Sequence, residues 1–400
     1  MYECCPTHLT EIESVDELLR HVETTGGLQE VVVQGLDLTG DEADAALTSV
    51  STEDACFLGC RLTEAAAHHV HESGGTIFPA FVDVPFNPYR ASLYTPDELM
   101  QGYERGQPDT RTETTDAAIY EYFQERQLDG RDAPVIDALA FRIHDHAIDD
   151  ALRDLLRPDR SEAEGGSAHG AHPDEGPEPR VVGVMGGHKL GRDTATYRQV
   201  ASIGWRLARQ GFLVATGGGP GAMEAANLGA ALADYEEEAV NDAVEILSAA
   251  PHYDHDAYVD QAMIVCERYP DRTDSLAVPT WFYGHEPSNL FPTHVAKYFA
   301  NSIREDGLLA IAKFGVIYAP GSAGTIQEVF MDAAQNHYET FGAASPMVFF
   351  DEAYWTEEKP VYPLLQTLAE GTPYADDLHI TDDVDAVASV ISDHATTRAS

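Results

Sequence analysis

Phe314-Gly315-Val316-Ile317-Tyr318-Ala319-Pro320-Gly321-Ser322-Ala323-Gly324-Thr325-Ile326-Gln327-Glu328 decides the fold class. A short, nearly continuous apolar run (314–318) is the pattern of a parallel strand covered on both faces. Pro320, Gly321 and Gly324 then permit a sharp turn close to a ligand. From Thr325 a helix is expected, with Ile326, Val329, Phe330 and Ala333 as its apolar stripe and Glu328, Asp332 and Gln335 on the opposite face. Such a strand-to-helix turn offers unpaired N–H groups and the positive end of a helix dipole, a seat for phosphate. A carboxylate one turn further on, Glu328, answers to something other than phosphate and is read as facing the sugar.

Outward from this stretch, the second half repeats the theme. Arg180–Met185 reads as a strand ending in the turn Gly186-Gly187-His188-Lys189-Leu190-Gly191, followed by a helix from Thr194 to Gln210. Phe212–Thr216 is a second strand, ending in Gly217-Gly218-Gly219-Pro220-Gly221-Ala222-Met223-Glu224. Residues 232–260 read as a polar helical insertion, and Ala262–Cys266 as a strand. Thr293 is expected to cap a helix carrying Asn301 and Arg304. Strands at 346–350 and 378–380 and helices at 360–370 and 383–391 complete the expectation of a doubly wound parallel sheet. Ligands of such sheets bind at the carboxyl ends of strands.

The first half alternates too: helices at 15–22, 42–47 and 63–73, strands at 30–33, 55–59 and 75–79, then a long amphipathic helix at 135–156. That is a smaller α/β layer. The expected organisation is an accessory α/β domain (1–158), a flexible Gly/Ala/Glu/His/Pro-rich linker (159–179) and a nucleotide-binding domain (180–400).

The 400 residues carry 68 Asp and Glu against 24 Lys and Arg, a net charge of −44. This disfavours nucleic acid and anionic membranes as partners and reads as adaptation to very high salt. With no apolar run near membrane-spanning length and no basic, apolar leader at the amino terminus, a cytoplasmic location is expected. The five cysteines (4, 5, 56, 60 and 266) are odd in number and irregular in spacing, which argues against a disulfide framework. Cys56 and Cys60 bracket an apolar strand and match no metal-ligand spacing, so no metal is expected.

Gly217-x-Gly219-x-x-Ala222 alone is a weak dinucleotide fingerprint. The turn at 186–191, GGGPGAMEAAN (217–227), and an Arg two dozen residues before the Glu of PGSAGTIQE (320–328) together resemble the LOG family, the "lysine decarboxylase-like" Rossmann proteins. WFYGHEPSN (281–289) and the long amino-terminal extension resemble its larger bacterial nucleotide nucleosidase branch. The resemblance spans about 180–392. It implies hydrolysis of a nucleoside 5′-monophosphate such as AMP to free base and ribose 5-phosphate, without a cofactor, by a homodimer or homotetramer.

By resemblance, Glu328 is the catalytic glutamate that stabilises an oxocarbenium-like ribosyl cation or orients water. Arg304 is its catalytic partner, positioning phosphate and ribose. Gly321, Ser322, Ala323, Gly324 and Thr325 would donate to the 5′-phosphate, and Gly186, Gly187, Gly217, Gly218, Gly219, Gly221, Met223, Glu224, Tyr283 and Asn301 would line the rest. His285 and Glu286 are candidates for the acid that protonates the base. Ser322 replaces the second Gly of the family's PGGxGTxxE, which is compatible with phosphate binding when its φ is not positive. Two other readings stay open: a nucleotide sensor or carrier without turnover, and an NAD-dependent enzyme. The helices at 293–305 and after Thr325 are the expected interface elements, with Val295, Phe299 and Ile303 as an apolar stripe.

Overall fold

The computed structural model describes residues 10–78, 80–81, 83–126, 133–157, 179–283 and 286–398. It forms two compact units, Met1–Leu93 with Gln124–Pro177, and Tyr94–Phe123 with Glu178–Ser400. The expected linker (159–179) lies almost wholly outside the described residues.

In the first unit the described residues build a four-stranded parallel sheet, β1 (Thr10–Ile12), β2 (Val31–Gln34), β3 (Cys56–Leu58) and β4 (Thr76–Phe78), in that order. β1 is too short to carry a periodic signal and escapes the pattern reading. Two of the helices between strands begin where the sequence provides caps: Ser14 and Glu17 form a reciprocal capping box, and Thr63 accepts from Ala66 N. Ile12, Val31, Val33, Phe57 and Val70 close the core. Cys60 belongs to it, with its thiol donating to Val33 O, as a small core residue would.

In the second unit seven parallel strands lie in the order β11-β10-β9-β5-β6-β7-β8. They are β5 (Arg180–Met185), β6 (Phe212–Thr216), β7 (Ser275–Ala277), β8 (His294–Val295), β9 (Val316–Tyr318), β10 (Met347–Phe350) and β11 (Leu378–Thr381). β5, β6, β9 and β10 are buried almost throughout, which explains their continuous apolar runs. From β5 the chain winds to one side through β6, β7 and β8. It then returns to the other side of β5 for β9, β10 and β11. The direction reverses between β5 and β9, which makes that crevice the topological switch point.

Three sequence expectations fail here. Residues 262–266 lie in a helix, Tyr258–Arg268, and the strand of that region is Ser275–Ala277. A short apolar run such as Ala-Met-Ile-Val-Cys fits either element, and length alone arbitrates. Thr293 caps no helix: its hydroxyl hydrogen-bonds across to Ser275 beside the two-residue β8, and the helix begins at Asn301. Val295 and Phe299 therefore form no exposed helical stripe. Val295 exchanges backbone hydrogen bonds with Tyr94, and Phe299 stacks on Trp281 at 4.7 Å, both buried inside the unit. The segment Tyr94–Phe123, which the sequence groups with the first 158 residues, packs in the second unit.

Candidate active site at the switch point

Each of the three Gly-rich turns leaves the carboxyl end of one of three neighbouring strands: β9, β5 and β6. Their mutual fit is tight. Gly187 N donates to Pro320 O at 2.9 Å, Ala319 N to Met185 O at 2.9 Å, and Ala222 N to Gly187 O at 3.2 Å. A Cβ on Gly187 would stand 3.0 Å from Pro320 O and 3.3 Å from Gly321 Cα, so a side chain there would need the Pro320–Gly321 backbone to give by a few tenths of an ångström. Gly221 has φ +71° and ψ −125°, a backbone that glycine alone adopts cheaply. It precedes the helix Ala222–Ala231, and Ser322 precedes the helix Ala323–Tyr338. Neither helix start has a side-chain cap; Ala222 N is taken by Gly187 O, and no capping side chain accepts from the other first-turn N–H groups. Ser322 sits at φ −120°, outside the positive-φ region that favours glycine. Ser322, Ala323 and Gly324 are exposed, while Gly321 and Thr325 are buried.

Beneath the turns lies the pair the sequence singles out. Arg304 Nη1 donates to Glu328 Oε1 at 2.9 Å, with Arg304 8 % and Glu328 9 % exposed. The guanidinium reaches the β6 turn: Nη1 lies 3.7 Å from where a side chain on Gly217 would begin. Burial pushes the Glu328 carboxyl upward, against the attraction of Arg304 and with a smaller push from Glu305. Arg304 Nε and Asn301 Oδ1 are both buried and have no hydrogen-bond partner among the described residues. Among the described residues these are two orphaned polar atoms three residues apart on one helix, the kind of exception that calls for an explanation.

Glu328 and Asp332 do not face away from the core, as the periodicity implies; both are buried. Asp332 accepts from Tyr318 Oη at 2.7 Å and Asn336 Nδ2 at 3.1 Å, and burial pushes its carboxyl up to about 7. Gln327 Nε2 donates to Glu305 Oε2 at 2.6 Å, and Tyr354 Oη donates to Gly321 O. None of these partners is visible in local patterns.

The 281–289 stretch supplies the outer wall. Tyr283 is half exposed and its hydroxyl accepts from Asn301 Nδ2 at 2.9 Å. Glu286 approaches the β6 turn: Oε2 would stand 3.3 Å from a Cβ on Gly219. Its Oε1 lies 3.8 Å from His188 Nδ1, and burial pushes its carboxyl upward, opposed by His188 and Lys297. Met223 packs over Gly217 and Gly219. His285 lies outside the described residues.

Glu224 is a correction. Its motif position implies a ligand contact, yet it is 1 % exposed and its oxygens are taken by Arg192 (2.9 and 2.5 Å) and Tyr197 Oη (2.8 Å). It anchors the helix Ala222–Ala231 to the 186–192 turn rather than facing the crevice. Arg192, fully buried, was legible only as one of few cations.

A third buried ion pair fixes the wall itself. Asp116 accepts from Lys297 Nζ (2.6 Å), Trp281 Nε1 (2.8 Å) and Ser288 Oγ (2.7 Å), tying both ends of the 281–289 stretch to one carboxylate. Among the described residues no three His, Cys, Asp or Glu side chains cluster as a metal would need, and no helix is long and apolar enough to cross a membrane.

Known proteins resemble this chain only distantly. The Moco carrier protein of Chlamydomonas reinhardtii aligns at 15 % identity and a TM-score of 0.34, over 55 % of this chain and 99 % of its own. The molybdenum cofactor binding protein of the phototrophic bacterium Rippkaea orientalis aligns at 15 % identity and a TM-score of 0.32, over 54 % and 97 %. No curated protein matches. Residues 179–235, which hold β5, β6 and two of the three Gly-rich turns, match the model of the SLOG cluster4 family.

Proposed function

We propose that the second unit binds a nucleoside 5′-monophosphate at the switch point and hydrolyses its N-glycosidic bond, giving free base and ribose 5-phosphate. The observation that carries this reading is the buried Arg304–Glu328 pair beneath three converging Gly-rich turns, with Arg304 Nε left unpartnered. The uncapped starts of the helices at 222 and 323 suit the 5′-phosphate. Arg304, a planar fork of donors, positions phosphate and ribose.

In the reaction the bond from C1′ to the base nitrogen breaks with its electron pair going to the base. Water adds to C1′, and positive charge builds on the ribose between the two events. An ionised Glu328 stabilises that charge and takes the water proton. The departing base accepts a proton from an acid, and Glu286, held protonated to higher pH than an ordinary carboxyl, suits that role.

The test is incubation with AMP, GMP, CMP and UMP in molar KCl, with free base read by chromatography and adenosine as the control without phosphate. Base release from monophosphates and little or none from adenosine is the expected result. Tight binding without base release would replace this reading by a sensor or carrier, and equal rates on AMP and adenosine would remove the phosphate argument.

A further inference from the structure

A cavity of about 250 Å³ opens in the second unit, lined by Arg111, Thr114, Asp116, Tyr253, Pro287 and Ser288 among others. Two links join it to the switch-point crevice. Pro287 and Ser288 directly follow Glu286, which stands over Gly219. The Tyr253 ring lies 6.1 Å from that of His188, the residue after Gly187.

Its polar groups are unequal. Asp116 is already engaged by Lys297, Trp281 and Ser288. The Thr114 hydroxyl donates to Arg111 O and accepts from Ala117 N. Arg111 is the one cation of the lining, and it keeps a donor to spare. Nε donates to Pro108 O at 3.2 Å and Nη1 to Tyr253 O at 3.3 Å, which fixes the guanidinium, while Nη2 has no partner among the described residues.

A second phosphate would meet one cation beside Asp116 and Asp254, in a chain of net charge −44. A flat heterocycle fits better: Tyr253 and Pro287 give it apolar surface, and the fixed guanidinium gives donors to its edge. We propose that this cavity holds the nucleobase and that Arg111 selects bases with an acceptor edge. A 6-oxopurine presents adjacent O6 and N7 acceptors to a guanidinium, whereas adenine places its N6 donor beside N7. The segment Tyr94–Phe123, foreign to the sheet in sequence, thereby becomes the specificity wall. The inference rests on the nucleotide reading above.

The experiment compares GMP and AMP on the wild-type chain and Arg111→Met in molar KCl, by kcat/KM and by calorimetric binding. Ribose 5-phosphate binding is measured in parallel, and thermal unfolding checks that the variant folds. The wild type is expected to prefer GMP by about tenfold or more, on the scale of one base-discriminating contact. In Arg111→Met that ratio should fall to near one, with ribose 5-phosphate affinity preserved. No wild-type preference, or an equal loss for both nucleotides, would overturn the assignment. If neither nucleotide is hydrolysed, the hydrolase reading fails alone: the GMP-to-AMP binding ratio and its response to Arg111→Met still decide the role of the cavity.

Discussion

Replacing Glu328 by Gln isolates charge from shape at the centre of the crevice. The amide keeps an oxygen to accept from Arg304 Nη1, now at 2.9 Å from the carboxylate, but removes the negative charge. Deleting one partner of a buried ion pair outright costs about 3–5 kcal/mol. Retaining the hydrogen bond should hold the loss to about 1–2 kcal/mol, because Arg304 keeps a second, longer approach to Glu305 at 4.0 Å. The chain should therefore fold and bind AMP within a few-fold of wild type. Turnover is another matter. A lost electrostatic contact to the developing ribosyl cation costs about two or more decades, near 2.7 kcal/mol at about 1.36 kcal/mol per decade. The assay is base release at saturating AMP, with calorimetric binding and thermal unfolding on the same samples. The pH profile gives an independent readout. Burial raises the Glu328 carboxyl and the reactive form is ionised, so wild-type activity should fall as pH drops through a value above the ordinary carboxylate range. Arg304→Met, which removes the opposing attraction, should move that limb to higher pH. Near-wild-type turnover in Glu328→Gln, or an unmoved limb in Arg304→Met, would refute the argument.

Asp332→Asn should flatten the dependence of stability on pH. With its folded pKa raised to about 7 from 3.8, Asp332 contributes stability that grows as pH falls from above 7 toward 3.8, and is lost as pH rises through 7. The variant should thus gain melting temperature relative to wild type at pH 8 and less at pH 5; a parallel offset at both would discount the Asp332 proton. The chain should also need molar salt: burial together with Asp150 and Asp154 pushes Glu11 and Glu13 up to about 7, and the net charge is −44. A melting temperature that is flat between dilute buffer and molar KCl would end that reading. Light scattering in molar KCl is expected to give the mass of a homodimer or homotetramer, and a fully active monomer would dismiss the proposed assembly.

What the sequence determined alone was local. Strands β5, β6 and β9 announce themselves because a parallel strand buried on both faces must be apolar throughout. The turns that end them need glycine for reasons of backbone and close approach, so their composition carries the signal directly. Glu328 and Arg304 were singled out together through the family resemblance that those turns carry. Where the signal was two-fold ambiguous it misled: residues 262–266 are equally apolar as helix or strand, and Val295 and Phe299 stand four apart yet lie in no helix. Tertiary structure decided the rest, since burial and pairing depend on groups far away in the chain. Glu224 looked like a ligand until Arg192 and Tyr197 closed over it. Asp116 lies 181 residues from the Lys297 it neutralises, and no periodicity within 94–123 records that pairing. Nor does any local pattern tell that Arg111 has a donor to spare, because a guanidinium's free N–H is defined only by what the folded chain brings, or fails to bring, within reach.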